Sequence, residues 1–206
     1  MGDPKKIRKK YTTPSHPWQR SNLENEARLV KEYGLIRKKE VWKVNSLLKK
    51  IKAEVKEIAA SEGEKAEKDK NLLLKKLKSW GLLKPEQGID DVLVLETKDL
   101  MERRLQTLVF KKGMSKSIDQ ARQFIVHGHI KVGDKKMNTP SYMVKTGEED
   151  LIGFIGRSSL SDPEHPERVS KKEKKLIKEE PKAEEKSTEE NKDEKTEDKK
   201  QESNEK

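Results

Sequence analysis

Cysteine is absent from this 206-residue chain, which excludes disulfides and thiolate zinc sites and suits a reducing compartment. Apolar residues are also scarce: 30% of the chain is hydrophobic and 4% aromatic, too little for every residue to join a packed core. No apolar run reaches membrane-spanning length, and the basic N-terminus leads into no signal-peptide core, so a soluble, non-membrane protein is expected. No Gly-rich phosphate loop of the Walker kind, nucleophile elbow or metal-ligand set occurs. The carboxylates Asp90-Asp91 and Glu148-Glu149-Asp150 read as helix caps and loop charge, not as a positioned acid/base pair. The expectation is a protein that is not an enzyme and needs no cofactor, metal or small-molecule substrate.

Charge is what the chain has in abundance. Lys and Arg number 48 against 38 Asp and Glu, a formal +10, which favours a phosphate-rich partner. Residues 167–206 hold 13 basic against 14 acidic groups, have no aromatics and almost no aliphatics, and read as a disordered Lys/Glu-rich tail. The remainder therefore carries all of the positive excess. It is strongest at the front, with 14 basic against 5 acidic residues in positions 1–50.

Periodicity divides what precedes the tail. Residues 1–20, with Pro14 and Pro17, read as an extended basic arm in which Lys5, Lys6, Arg8, Lys9 and Lys10 are interleaved with Tyr11, His16 and Trp18. Such an arm is expected to be mobile until a partner holds it. For Tyr11 and Trp18, packing on the protein and stacking on a nucleobase are both open; Trp42 and Trp80 read as core. Residues 21–100 read as a helical domain. One helix starts at Ser21 or Asn22, carries Leu23, Ala27 and Val30, and stops at Gly34. A longer one carries the stripe Val41, Val44, Leu48, Ile51, Val55 and Ile58. After the polar break SEGEKAEKDK, a third helix built on NLLLKKLKSWGLL ends near Gly81.

Residues 101–166 read as a separate module and its return segment. Thr97 caps a helix running to Lys112, with Met101, Leu105, Leu108 and Val109 on one face and Arg104 and Lys111 on its flank. Ser117-x-x-Gln120 reads as a capping box opening a helix with Ile118, Ala121 and Ile125 inward and Gly128 as its exit. The turn Gly133-Asp134 then pairs Val132 with Lys135 and Lys131 with Lys136. Ile130, Val132 and Met137 fall on one face of that hairpin, His129, Lys131 and Lys136 on the other. Two directly opposed lysines repel unless an anion covers them. The fold class expected is mainly α with a small β-sheet, α+β.

The run RRLQTLVFKKGMSKSIDQARQFIVHGHIKVGDKKMNTPSYMV resembles the RNA-binding module of the S-four ribosomal protein family. That module is shared with some pseudouridine synthases, bacterial tyrosyl-tRNA synthetases and heat-shock RNA-binding proteins. Its diagnostic residues here are Ala121-Arg122-Gln123, Val126-His127-Gly128-His129-Ile130 and Val132. The opening MGDPKKIRKKYTTPSHPW resembles archaeal members of the ribosomal family. The resemblance implies a primary rRNA-binding protein of the small ribosomal subunit, in the cytoplasm, that nucleates assembly in the 5′ domain. It also implies a position near the mRNA entry region beside neighbouring small-subunit proteins, and a role in translational accuracy. The implied contacts are Arg103, Arg104, Lys111, Lys112, Lys116, Gln120, Arg122, Gln123, His127, His129, Lys131, Lys136 and Tyr142, joined by Lys5, Lys6, Arg8, Lys9, Lys10 and Trp18 of the arm. His127-x-His129 falls short of a zinc ligand set, since His16 and His165 lie far off in sequence. The rival reading is a free-standing RNA chaperone or ribosome-assembly factor using the same module.

Overall fold

The computed structural model describes residues 9–61, 63–162 and 165–168. Among these residues, seven α-helices are followed by a three-stranded sheet. α1 (Arg20–Glu32) begins slightly earlier than its sequence caps suggest, with Gln19 at the N-cap. The Arg20–Glu24 ion pair spans the first turn at 2.7 Å, and Asn22 donates its side-chain amide back to Gln19. The helix ends as expected: Gly34 takes φ +53°, letting the Leu35 N–H reach the Val30 carbonyl at 2.9 Å. Ala27, expected inward, is exposed; Leu29, Val30 and Tyr33 make the contact with α2 instead.

α2 (Lys38–Ala60) is the spine of the helical part, burying Val41, Leu48, Ile51 and Val55. The stretch read as a polar break is mostly helix, because α3 (Glu64–Ser79) starts at its fourth residue. Glu64 and Glu67 in the first turn and Lys76 and Lys78 in the last complement the helix dipole, which offsets the lack of an apolar face there. Leu73 and Leu77 close one core with Leu48, Ile51, Val55, Leu83, Val92 and Leu100. The short α4 (Asp91–Val94) and α5 (Thr97–Glu102) complete this layer. Asp99 accepts the Glu96 N–H at 2.7 Å, so the cap sits at Glu96 and not at Thr97. Thr97 donates its hydroxyl to Asn45 of α2.

The single helix expected over 97–112 is two. α5 stops at Glu102, α6 (Leu105–Lys111) starts anew, and Arg104 between them is extended at φ −72°, ψ 143°. The return segment causes the break: the Leu105 N–H donates to the Tyr142 carbonyl at 2.8 Å and the Val144 N–H to the Arg103 carbonyl at 3.1 Å. Long-range pairing here overrides a local helical preference. α7 (Ile118–Val126) packs on α6. The Ser117 hydroxyl caps the Gln120 N–H at 3.1 Å, but Gln120 reaches back to the N–H of Lys116, one residue short of a full capping box. Phe124, absent from the expected core face, is buried, whereas Ile118 is only half-buried.

β1 (Ile130–Val132) and β2 (Lys135–Lys136) form the hairpin in the expected register, Lys131 opposite Lys136 and Val132 opposite Lys135. A third strand, β3 (Ile152–Phe154), pairs antiparallel on the other side of β1, with Gly153 opposite Lys131. Leu105, Leu108, Val109, Ala121, Phe124, Ile125, Ile130, Val144, Ile152 and Leu160 make the module's own core.

Both ends of the described chain touch the rest of the fold. Of the two readings open for Tyr11, packing on the protein is the one seen: its ring lies against Trp42 at 6.0 Å between centroids, and the neighbouring Thr12 N–H donates to Ser46 at 2.8 Å, whereas Trp18 is exposed. Residues 165–168, two of them assigned to the tail, fold back on the module, where Arg168 lies over the Phe154 ring and donates to the Ser161 carbonyl. The rest of the tail, 169–206, is outside the described residues.

Candidate nucleic-acid interface

The hairpin holds the clearest cationic surface. Lys131 and Lys136 are directly opposed across β1 and β2. The neighbour of Lys131 on β3 is Gly153, which adds no side chain to that face. Neither lysine has an ion-pair partner among the described residues. The Lys136 stem packs over Gly128, which takes φ +73° as α7 ends. A β-carbon at Gly128 would collide with that stem, so the glycine both ends the helix and seats the lysine.

The expected contact residues divide sharply by burial. Arg104 is 2% exposed; it donates to Glu40 at 2.7 Å and offers no surface to a ligand. Its expected place on the flank of a helix is therefore corrected: it sits in the break between α5 and α6. Arg122 reaches the same carboxylate, at 2.9 and 3.2 Å, and also contacts the Gln106 side chain. Burial alone would raise the Glu40 pKa, but the hydrogen bonds from Arg122 and Arg104, backed by their charges, hold it below its usual value. Arg103 is mostly buried as well; it pairs with Glu149 and donates to the Val144 carbonyl, its guanidinium lying over Gly81. Arg104 and Arg122 tie the module to α2 through Glu40.

The other expected residues lie nearer the surface. Lys111 pairs with Glu102 at 3.2 Å, and the Lys112 ammonium donates to the Glu149 carbonyl. Lys116 donates to the Pro166 carbonyl and Gln120 to that of Glu167, so the chain's return crosses both. Gln123 on α7 and His127 at its C-cap are exposed. His129 is hydrogen-bonded to the Ser158 hydroxyl at 2.8 Å. The Tyr142 hydroxyl donates to Glu148 at 2.9 Å; burial and that carboxylate raise its pKa. Lys9, Lys10 and Trp18 are exposed, Trp18 at 87%. Lys5, Lys6 and Arg8 lie outside the described residues. No group of three or more potential ligand side chains among the described residues could hold a metal ion.

Sequence reasoning overlooked several exposed cations. Lys135, Lys145 and Arg157 lie on the module, and Arg37, Lys39 and Lys43 at the start of α2. The surplus of positive charge in the first 50 residues is the signal for the last three.

Two helices closed on a small antiparallel sheet, with unpaired lysines on the outer strand face, define an RNA-binding module, and residues 103–150 match the family model described as S4 domain. The similarity extends well beyond that module. The chain is 44% identical over 170 residues to the small ribosomal subunit protein uS4 of Methanococcus aeolicus, covering 82% of this chain and 96% of that protein. It is 47% identical to the protein of the same name from Nanoarchaeum equitans over 163 residues, 78% of this chain and 91% of the relative. The Ignicoccus hospitalis protein gives 45% over 158 residues, 77% and 95% respectively. The chain belongs to the uS4 family of small ribosomal subunit proteins.

Proposed function

We propose that the protein is a primary rRNA-binding component of the small subunit, acting in the cytoplasm, that binds the 5′ domain and nucleates its assembly. A position near the mRNA entry region, beside neighbouring small-subunit proteins, and an influence on translational accuracy belong to the same reading. The observation that carries it is the opposed Lys131–Lys136 pair with the open Gly153 beside it. A phosphate over that face relieves the repulsion between the two ammonium groups and releases counterions. Selectivity then comes from the shape of a folded RNA junction presented to a rigid surface, with no base-edge readout required.

The reading is tested by changing Lys131 and Lys136 together to Glu. Binding to a 5′-domain transcript is expected to fall more than tenfold at moderate salt, with far-UV circular dichroism unchanged. Retained affinity with an intact fold would refute the assignment of this face.

A further inference from the structure

Between α2 and the module's return segment runs a groove of about 640 Å³, within the ~300–1,000 Å³ range of small-ligand sites. Its composition is two-sided. Val44, Leu47 and Met143 supply apolar surface, while Arg37, Lys39 and Lys43 stand exposed along the lining. None of those three cations has an ion-pair partner among the described residues. Glu40 is the one carboxylate in the lining, and it is occupied by two guanidiniums, so that trio is net positive. Ile36 lies at the same groove with 68% of its surface exposed, extending the apolar wall of Val44, Leu47 and Met143 to the rim beside the cations.

We infer that this groove takes one unstacked nucleotide of single-stranded RNA, its base against Ile36 and Met143 and its flanking phosphates on Arg37, Lys39 and Lys43. An apolar wall beside three free cations matches the two faces of a nucleotide, and the thioether of Met143 suits an aromatic ring. A hydrophobic peptide would leave the cations unmatched, and duplex RNA keeps its bases stacked away from the wall. The inference rests on the RNA-binding reading but concerns a surface separate from the hairpin.

The test uses the full chain and a single-stranded oligouridylate carrying one 4-thiouridine. Irradiation should crosslink the probe to peptides containing Ile36–Leu47 or Pro140–Met143. The triple variant Arg37→Ala, Lys39→Ala, Lys43→Ala should bind the oligonucleotide about tenfold more weakly at low salt. Its log–log salt slope should shrink by about 1.4, as expected for the loss of contacts to the two phosphates that flank one nucleotide. Ile36→Ser should weaken binding severalfold with the slope unchanged. Wild-type affinity in the triple variant, crosslinks confined to other peptides, or no binding of the probe by the wild-type chain would overturn the groove assignment. Binding of the 5′-domain transcript by the Lys131→Glu, Lys136→Glu variant reports separately on the general reading.

Discussion

Glu40 joins two arginines of the module to α2. Its carboxylate accepts from Arg104, which is almost wholly buried, and from Arg122. Replacement by Gln leaves two guanidiniums facing a neutral amide, and breaking such a buried arrangement costs about 3 kcal/mol. Urea denaturation at pH 7 should show this loss. The folded-state pKa of Glu40 lies below its usual 4.5, so its stabilisation is complete above that value and is lost as pH falls through the lower folded pKa. The difference between wild type and Glu40→Gln should therefore shrink as the solution is acidified below pH 4.5. A gap independent of pH would contradict the ion-pair origin. Gly34 offers a steric counterpart. At φ +53°, an added β-carbon would meet the Ile118 Cγ2 at 2.5 Å and the Asp119 Oδ1 at 2.8 Å. Gly34→Ala is expected to cost about 2 kcal/mol or more through strain and crowding together, measured as a fall in the denaturation midpoint. Gln106, also buried, donates to the carbonyls of Tyr33, Gly34 and Ile118. Nothing in the sequence marked it, because its partners lie 73, 72 and 12 residues away.

At the scale of elements, locally encoded features could be read and tertiary ones could not. Gly133-Asp134 sets the hairpin register through its turn geometry, and Gly34, Gly81, Gly113 and Gly128 all take positive φ near the expected helix ends. The break between α5 and α6 escaped notice because its cause is the segment 142–144, about 40 residues downstream. The same holds for the arginines: their residue type suggested phosphate contacts, whereas the fold spends Arg103 and Arg104 on carboxylates far away in sequence. The cap of α7 allows a direct check. Ser117→Ala removes the hydroxyl that accepts the Gln120 N–H and should cost about 1 kcal/mol. Faster amide exchange in the first turn of α7 should accompany it, with β1 protection changed no more than global stability requires.

Taken whole, the molecule has a helical core around Leu77 and Leu100 and a module core around Leu105 and Ile125. Polar links cross between them: Glu40 with Arg104 and Arg122, and Thr146 donating to the Lys78 and Ser79 carbonyls at the end of α3. Such links should make the two cores unfold together. All three tryptophans, at 18, 42 and 80, precede the module, so their fluorescence follows the helical part while exchange of α7 and β1 amides follows the module. The two probes should give one midpoint in the wild type and separate midpoints in Glu40→Ala combined with Thr146→Ala. Coincident transitions in that double variant would show that apolar contact alone couples the cores.

The central claim is that a cationic face of fixed shape recognises a folded RNA. Competition of 5′-domain rRNA transcript against tRNA for the purified protein, across a salt series, tests it most directly. A preference for the transcript that persists as salt rises is the predicted result. Equal affinity for both RNAs, falling together with salt, would contradict it and leave a general RNA chaperone as the better account.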